Sequence, residues 1–294
     1  EAGARRAAIA LSAGFGTGPL VAGLLAQWAP DPLLSAYLPH LLVVGLVVAP
    51  GLRAPETVAT REPAVPAHPA VPAHPAAPSH PAAPVRSVPP PPRRSVFVAS
   101  AATRRFRRIV TPAAPWVFAA PSIAFAVLPV MIAGDLGRFR IGFAALTAAL
   151  TLGVGVLIQP LARRIDRAGS GRGLISGLAA TLAGLGLAAV AVSLGSWLLA
   201  LPADVLLGAG YGLCLVSGLL EVQSLAQPGE LASLTAIFYA LTYVGFAAPI
   251  VIAELGHVMR PALVLLAAGA LSALVLGLVA GANVRARSAV PDTV

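Results

Sequence analysis

The hydrophobic positions of this chain form long, nearly unbroken runs, which short polar or arginine-containing segments separate. An α-helix needs about 20 predominantly apolar residues to cross a bilayer, and buried strands are shorter than these runs. The pattern therefore predicts an all-α, polytopic membrane protein with eight transmembrane helices. The predicted helices are Ala7–Trp28, Leu33–Leu52, Ala113–Ala133, Ile141–Ala162, Gly173–Leu194, Trp197–Leu220, Leu231–Leu255 and Pro261–Val284.

The composition supports a membrane location and limits the chemistry. The 294 residues are 57% hydrophobic and 11% charged, with a mean hydropathy of +0.85, whereas soluble domains carry about 25% charged residues. A single cysteine, Cys214, excludes a disulfide framework or a thiolate metal cluster. The sequence has no histidine pair at metal-ligand spacing on one helix, no nucleophile elbow and no glycine-rich loop followed by lysine. We therefore expect neither an enzyme nor a bound cofactor or metal.

The arginine residues predict the orientation of the helices. All 20 lysine and arginine positions are arginine, and the net charge is +9. If the N-terminus is cytoplasmic, seventeen of the twenty lie on the cytoplasmic side, and Arg138, Arg140 and Arg260 lie outside. This bias follows the positive-inside rule. It predicts a plasma (inner) membrane protein with both ends of the chain in the cytoplasm, and it accounts for the basic charge without nucleic acid.

A long polar interval leaves two helices before it and six after it. Within it, Pro63–Pro84 is a near-hexapeptide repeat for which polyproline II is the expected local state. His68, His74 and His80 fall six residues apart and share one side, so a weak metal site or pH-sensitive strip is the alternative to a low-complexity linker. The predicted domains are the first two helices (1–52), a cytoplasmic linker (53–112), a six-helix bundle (113–284) and a cytoplasmic tail (285–294).

The end of this linker, Arg93–Val110, mixes arginines with apolar side chains. Such a segment is typical of an amphipathic helix that lies on a membrane surface. We therefore expect a surface helix whose Arg104, Arg105, Arg107 and Arg108 face anionic lipids of the inner leaflet. A disordered basic linker is the alternative.

Glycines and a proline mark the first predicted helix. Gly14, Gly18 and Ala22 recur at i, i+4 and i+8 and form a bare stripe on which another helix can pack closely, with Pro19 beside it. Together with Gly23, these residues resemble the antiporter motif G-x-x-x-G-P-x-x-[GA]-G in the fifth helix of drug:proton antiporters of the major facilitator superfamily (MFS). Ala22 stands where that family usually has the first of two glycines. A tight helix–helix contact is the simpler interpretation.

Two further stretches resemble the same superfamily. Ala162, Asp166, Arg167 and Gly169 are similar to its cytoplasmic motif G-x-x-x-D-[RK]-x-G between helices eight and nine, with Ala162 in place of the first glycine. The Pro-Glu-Thr at 55–57 resembles the flank that often ends helix six. The resemblance implies that these are helices five to twelve of a twelve-helix fold whose first four helices precede this chain. Without it, Asp166 lies in a short loop that only determines topology.

Asp204 is the acidic residue that the pattern places furthest inside an apolar run. An acid at mid-membrane costs roughly 2.5–3.5 kcal/mol on insertion scales, so it should face a cavity or a partner. Tyr211 lies on roughly the same side of the helix. We predict a proton or substrate site at Asp204, and the alternative is an interfacial acid that reaches the outer headgroups. Glu221 and Glu254 lie at helix ends and are expected to be interfacial.

Aromatic residues form a second candidate for substrate binding. Tyr239, Tyr243 and Phe246 fall at i, i+4 and i+7 in the seventh predicted helix, so they share one side of it. Such a stripe either lines a hydrophobic cavity or packs between helices.

The resemblance implies a secondary transporter that exports a small, partly apolar molecule by alternating access, with the proton gradient as its energy source. Its partners would be that substrate, anionic inner-leaflet lipids and the missing N-terminal helices. Two alternatives remain. One is a truncated, non-transporting scaffold or sensor that uses the Pro-rich arm, and the other is an intramembrane enzyme.

Overall fold

The computed structural model describes residues 14, 17–53, 98–166 and 170–288, which are helical with short connections and contain no strand. Seven of the helices in this part are long and apolar enough to cross a membrane. An all-α architecture with several spans is therefore confirmed, while the eighth span stays a prediction because the first helix is described mainly from residue 17. We number the helices α1 (residues 17–28), α2 (Pro32–Leu52), α3 (Phe106–Met131), α4 (Gly137–Ile165), α5 (Arg172–Leu194), α6 (Trp197–Leu225), α7 (Leu231–Gly256) and α8 (Pro261–Ser288).

Prolines interrupt the regular hydrogen bonding within several of these helices. Proline has no N–H to donate, so the backbone near it adopts wider or tighter turns. In α3, π turns at Phe106–Val110 and Ile123–Val127 flank Trp116–Ser122. The other internal segments are Pro32–Ser35 and Leu38–Leu52 in α2, Thr111–Ala113 and Leu128–Met131 in α3, Gly137–Phe139, Arg140–Leu157 and Gln159–Ile165 in α4, and Leu231–Tyr243, Val244–Ala247 and Ala248–Gly256 in α7.

The central helix α6 packs against α3, α4, α5 and α7. Small residues allow the close approach, as expected for helices in a membrane. A Cβ on Gly208 would lie 2.4 Å from the Thr151 carbonyl oxygen, and one on Gly212 would lie 2.0 Å from the Gly155 carbonyl oxygen. The glycines of α6 therefore fix its distance from α4.

The chain divides into two units, one of residues 1–41 with 97–294 and one of residues 42–96. The first unit contains α3 to α8 and their buried core. In the second unit, the described residues 42–53 continue α2, and their described side chains are exposed.

The start of α3 corrects the predicted surface helix over Arg93–Val110. Residues 106–110 belong to a membrane-length helix, and Phe106, Ile109 and Val110 are buried in the core. These three apolar side chains therefore pack into the bundle, and they do not form the exposed apolar face that a surface helix needs. Residues 93–97 lie outside the described part, and Ala99–Ala102 form a short 3₁₀ helix.

Candidate functional site

Asp204 lies inside the bundle, and no described residue forms a hydrogen bond with it. It sits about 10 Å along the axis from the start of α6, a start that Ser196 caps by accepting a hydrogen bond from the Leu199 amide at 3.4 Å. Its exposure is 0%, and neither carboxylate oxygen has a hydrogen-bond partner among the described residues. The burial favours the predicted internal site over an acid that reaches the outer headgroups, and both stay predictions.

The surroundings of Asp204 follow from the contact between α4 and α6. One turn further along α6, Gly208 lies against the backbone of Thr151, whose own hydroxyl is buried and has no hydrogen-bond partner in the described part of the chain. Ionisation of Asp204 would thus leave a charge that no described group compensates, which is unfavourable in an apolar interior. Such a carboxyl group can hold a proton in one state of the protein and release it in another.

The predicted aromatic residues come together around Phe118 of α3, which the sequence analysis did not identify. The Phe118 ring centroid lies 6.1 Å from Tyr211, 5.5 Å from Tyr243 and 4.7 Å from Phe246, and Tyr239 lies 6.5 Å from Tyr243. We call these five residues the aromatic cluster.

The aromatic cluster runs from the interior to the surface of the bundle. Tyr211 is only 6% exposed, whereas Tyr243 is 58% exposed. Because Asp204 and Tyr211 are seven residues apart, they lie on the same face of α6, about 10 Å apart along its axis. Aromatic faces attract apolar and cationic molecules, so the cluster is suited to a ligand that carries both properties.

A second buried acid of α6, Glu221, is fully paired. Its oxygens accept from Arg105 Nε at 2.9 Å and from Arg105 Nη2 at 2.8 Å, and its side chain is 0% exposed. The hydrogen bond to Glu221 raises the pKa of Arg105, which immediately precedes α3. Glu221 is therefore buried and paired near the end of α6, and its position relative to the membrane interface stays a prediction. An acid in the last turns of an apolar helix was the signal for this pair, but only the fold identifies the arginine.

Asp166 occupies the same end of the bundle. It accepts a hydrogen bond from the Ser170 hydroxyl, and a Cβ on Gly173 would lie 3.1 Å from Asp166 Oδ2. Its carboxylate is thus beside the first turn of α5, where the helix dipole favours negative charge. Asn283 of α8 donates to the Ser170 carbonyl oxygen at 2.8 Å. Ala162 is buried, whereas Arg167 and Gly169 of the predicted motif lie outside the described residues.

Glu230 adds another connection at this end that the sequence analysis missed. It accepts from the Ala99 amide at 2.9 Å and from the Ser100 amide at 3.1 Å, and also from the Ser100 hydroxyl. The hydrogen bond from that hydroxyl lowers the pKa of Glu230. The segment before α3 is therefore attached to the start of α7.

Four of the antiporter-like residues, Gly18, Pro19, Ala22 and Gly23, lie on α1, and Gly23 contacts α4. A Cβ on Gly23 would lie 2.0 Å from Ala145 Cβ, whereas Gly14 and Gly18 have open space at that position. Pro19 and Ala22 are half-buried.

The nearby Gln27 strengthens this contact, and the sequence analysis did not single it out. It donates to the Arg138 carbonyl oxygen at 2.6 Å and accepts from the Gly142 amide at 2.9 Å.

Glu254, expected at an interface, is exposed. Within the described ranges, no group of three or more His, Cys, Asp or Glu side chains is placed to hold a metal ion. His68, His74 and His80 lie outside those ranges. Comparison with the models of protein families, with curated proteins and with solved structures finds no match to this chain.

Proposed function

We propose that this chain is the C-terminal part of an MFS-type secondary transporter, which exports a small, partly apolar molecule in exchange for protons. The observation that carries the proposal is Asp204, a fully buried carboxyl group without a hydrogen-bond partner in the described structure. A buried polar group that is left unpaired destabilises a protein, so its presence suggests a function. The resemblance of residues 14–23 and 162–169 to MFS motifs supplies the class of transporter.

In this mechanism, Asp204 exchanges its proton for a substrate that occupies the aromatic cluster. When Asp204 is protonated, the interior of α6 is neutral and the buried conformation is favoured. A cationic substrate on the face shared with Tyr211 favours release of the proton, because it offers the carboxylate a compensating charge. Proton and substrate thus favour different states, as coupled exchange requires.

The arginine-rich end of the bundle would act as the cytoplasmic gate. The Arg105–Glu221 pair connects the start of α3 with the end of α6, and Asp166 lies beside the first turn of α5. Because a buried ion pair is stable only in good geometry, such contacts hold one conformation and must separate in the other. The contact of α1 with α4 at Gly23 would seal the cavity laterally.

A proteoliposome assay of the whole transporter, including the helices proposed to precede this chain, tests the proposal with ethidium as the probe. Ethidium is aromatic and cationic, so it matches both the aromatic cluster and the carboxylate. With an acidic lumen and a fluorescent pH indicator, ethidium should dissipate the gradient for the wild type, and Asp204→Asn should slow this at least about tenfold. The exposed Glu254→Gln variant is the matched control and should keep the wild-type rate. Asp204→Asn at the wild-type rate, or a wild type that does not respond to ethidium, would overturn the proposal.

A further inference from the structure

Three arginines line a cavity of about 450 Å³ between the start of α3 and the last turns of α8. Arg107, Arg108 and Arg285 are exposed, and none of them forms an ion pair with a carboxylate of the described residues. This contrasts with Arg105, which pairs with Glu221. The residues of α8 include no acid at all, so the cavity has a strongly positive rim.

A second cavity, of about 550 Å³ and with an almost wholly apolar lining, lies next to the first. Both are lined by Pro112, and their other linings follow one another along α8, with Leu271 and Val275 in the second cavity and Gly281 and Arg285 in the first. From Arg285 to Leu271, α8 rises about 21 Å. This exceeds half of the roughly 30 Å hydrocarbon core, so the two cavities together extend through about one leaflet.

Small residues keep this surface open. Gly277 and Gly281 are one turn apart on α8, and a Cβ at either position would have no atom within 4 Å. The apolar cavity is bordered by Ala267 and Ala268 of α8 and by Trp116 and Ala119 of α3. The shape is therefore a charged pocket at a helix end with an apolar groove leading away from it into the span.

We propose that one anionic phospholipid binds here, with its phosphate among Arg107, Arg108 and Arg285 and one acyl chain in the apolar groove. Guanidinium groups bind phosphate through charge-assisted, often bidentate hydrogen bonds, and basic pockets between transmembrane helices take anionic headgroups. Charge complementarity selects an anionic headgroup, and the continuous apolar groove selects a molecule with a long chain and not a free phosphate. The site does not depend on the transport function proposed above.

Tryptophan fluorescence can report on this groove. Trp116 lines it, whereas Trp28 and Trp197 line a separate cavity between α1, α4 and α6. The full chain with Trp28→Phe and Trp197→Phe therefore carries a single reporter. In phosphatidylcholine nanodiscs, phosphatidylglycerol brominated on its acyl chains should quench Trp116 at a mole fraction at least about tenfold lower than brominated phosphatidylcholine does, because each basic residue near an anionic lipid contributes about fivefold.

Two sets of substitutions distinguish headgroup binding at these three arginines from a general attraction between the charge of the protein and anionic lipids. Arg107→Gln, Arg108→Gln and Arg285→Gln together should abolish the preference for phosphatidylglycerol. The matched control, with Arg138→Gln, Arg140→Gln and Arg260→Gln at the opposite end, removes the same charge and should keep it. Equal quenching by the two lipids, or an unchanged preference in the first set, would overturn the proposal.

The acyl chain is tested separately. Ala268→Phe fills the groove and should weaken quenching by phosphatidylglycerol although the arginines remain. Inorganic phosphate should not relieve the quenching at concentrations where the lipid binds. If phosphate competes fully and Ala268→Phe has no effect, the arginines form an anion site without a lipid chain, and the proposal fails.

Discussion

Two acids of the same helix, Asp204 and Glu221, are equally buried, but only Glu221 is paired with a described cation. Both are 0% exposed, and about 25 Å of α6 separates them. Glu221 receives two hydrogen bonds from Arg105, whereas Asp204 receives none from the described residues. Burial alone therefore does not define the role of an acid in this bundle. A paired acid stabilises a conformation, and an unpaired one remains available for proton exchange.

The largest change in the free energy of unfolding is expected from breaking the Arg105–Glu221 ion pair. Glu221→Gln leaves the guanidinium of Arg105 without its counter-charge in a site where the arginine side chain is only 23% exposed. Removing one partner of a buried pair costs about 3 kcal/mol or more, which denaturant unfolding of the purified protein would measure. Because the pair can be replaced by apolar groups of similar volume, Glu221→Leu combined with Arg105→Met should recover most of this loss. If Glu221→Gln is as stable as the wild type, the Arg105–Glu221 ion pair does not stabilise the fold.

A gain in the free energy of unfolding, and not a loss, is expected when Asp204 is replaced. Asp204→Leu removes a buried polar group that has no partner to lose, so the free energy of unfolding should rise by about 1–3 kcal/mol. The same unfolding experiment measures it. A loss of stability comparable to that of the Glu221 variant would mean that Asp204 has a partner in the folded protein, and the contrast between the two acids would disappear.

A smaller loss is expected at the glycines that hold α6 beside α4, between the two acids. Gly212→Ala would place a Cβ 2.0 Å from the Gly155 carbonyl oxygen, and overpacking of this kind typically costs about 1–3 kcal/mol. Gly186→Ala is the control, because a Cβ there meets no atom within 4 Å. It should stabilise α5 by up to about 1 kcal/mol, since alanine is the better helix former. If Gly186→Ala loses as much stability as Gly212→Ala, the loss at Gly212 is not explained by its close packing against α4.

The smallest effect concerns an acid outside the spans. The pKa of Glu230 is lowered from its ordinary value of 4.5 by the hydrogen bond from Ser100. A lowered pKa means that the carboxylate stabilises the folded state above pH 4.5, and that this contribution is lost as the pH falls through the folded-state pKa. Glu230→Gln should therefore flatten the decline in thermal stability below pH 4.5 relative to the wild type.

The helices were predictable because hydrophobicity determines which segments can span a membrane. The pattern did not predict the start of α3, since the four arginines between 104 and 108 mask the burial of Phe106 in the core. It also did not show which arginine turns inward, because Arg105 and Glu221 are distant in sequence and meet only when α3 and α6 pack.

The candidate site was predictable only in part. An isolated acid and an aromatic stripe identified Asp204, Tyr211, Tyr239 and Tyr243, because ionisable and aromatic groups are conspicuous in apolar helices. Phe118 was not conspicuous in an apolar run, although it lies at the centre of the aromatic cluster. Such contacts depend on which helices pack together, and the periodicity of a single sequence does not show this.

Proton release on ethidium binding, measured with the purified full chain in weakly buffered solution, tests the proposed role of Asp204 as the proton site most directly. We predict that the wild type releases protons when ethidium is added and that Asp204→Asn does not, while Glu254→Gln behaves as the wild type. Proton release by Asp204→Asn equal to that of the wild type would contradict the assignment of Asp204 as the proton site.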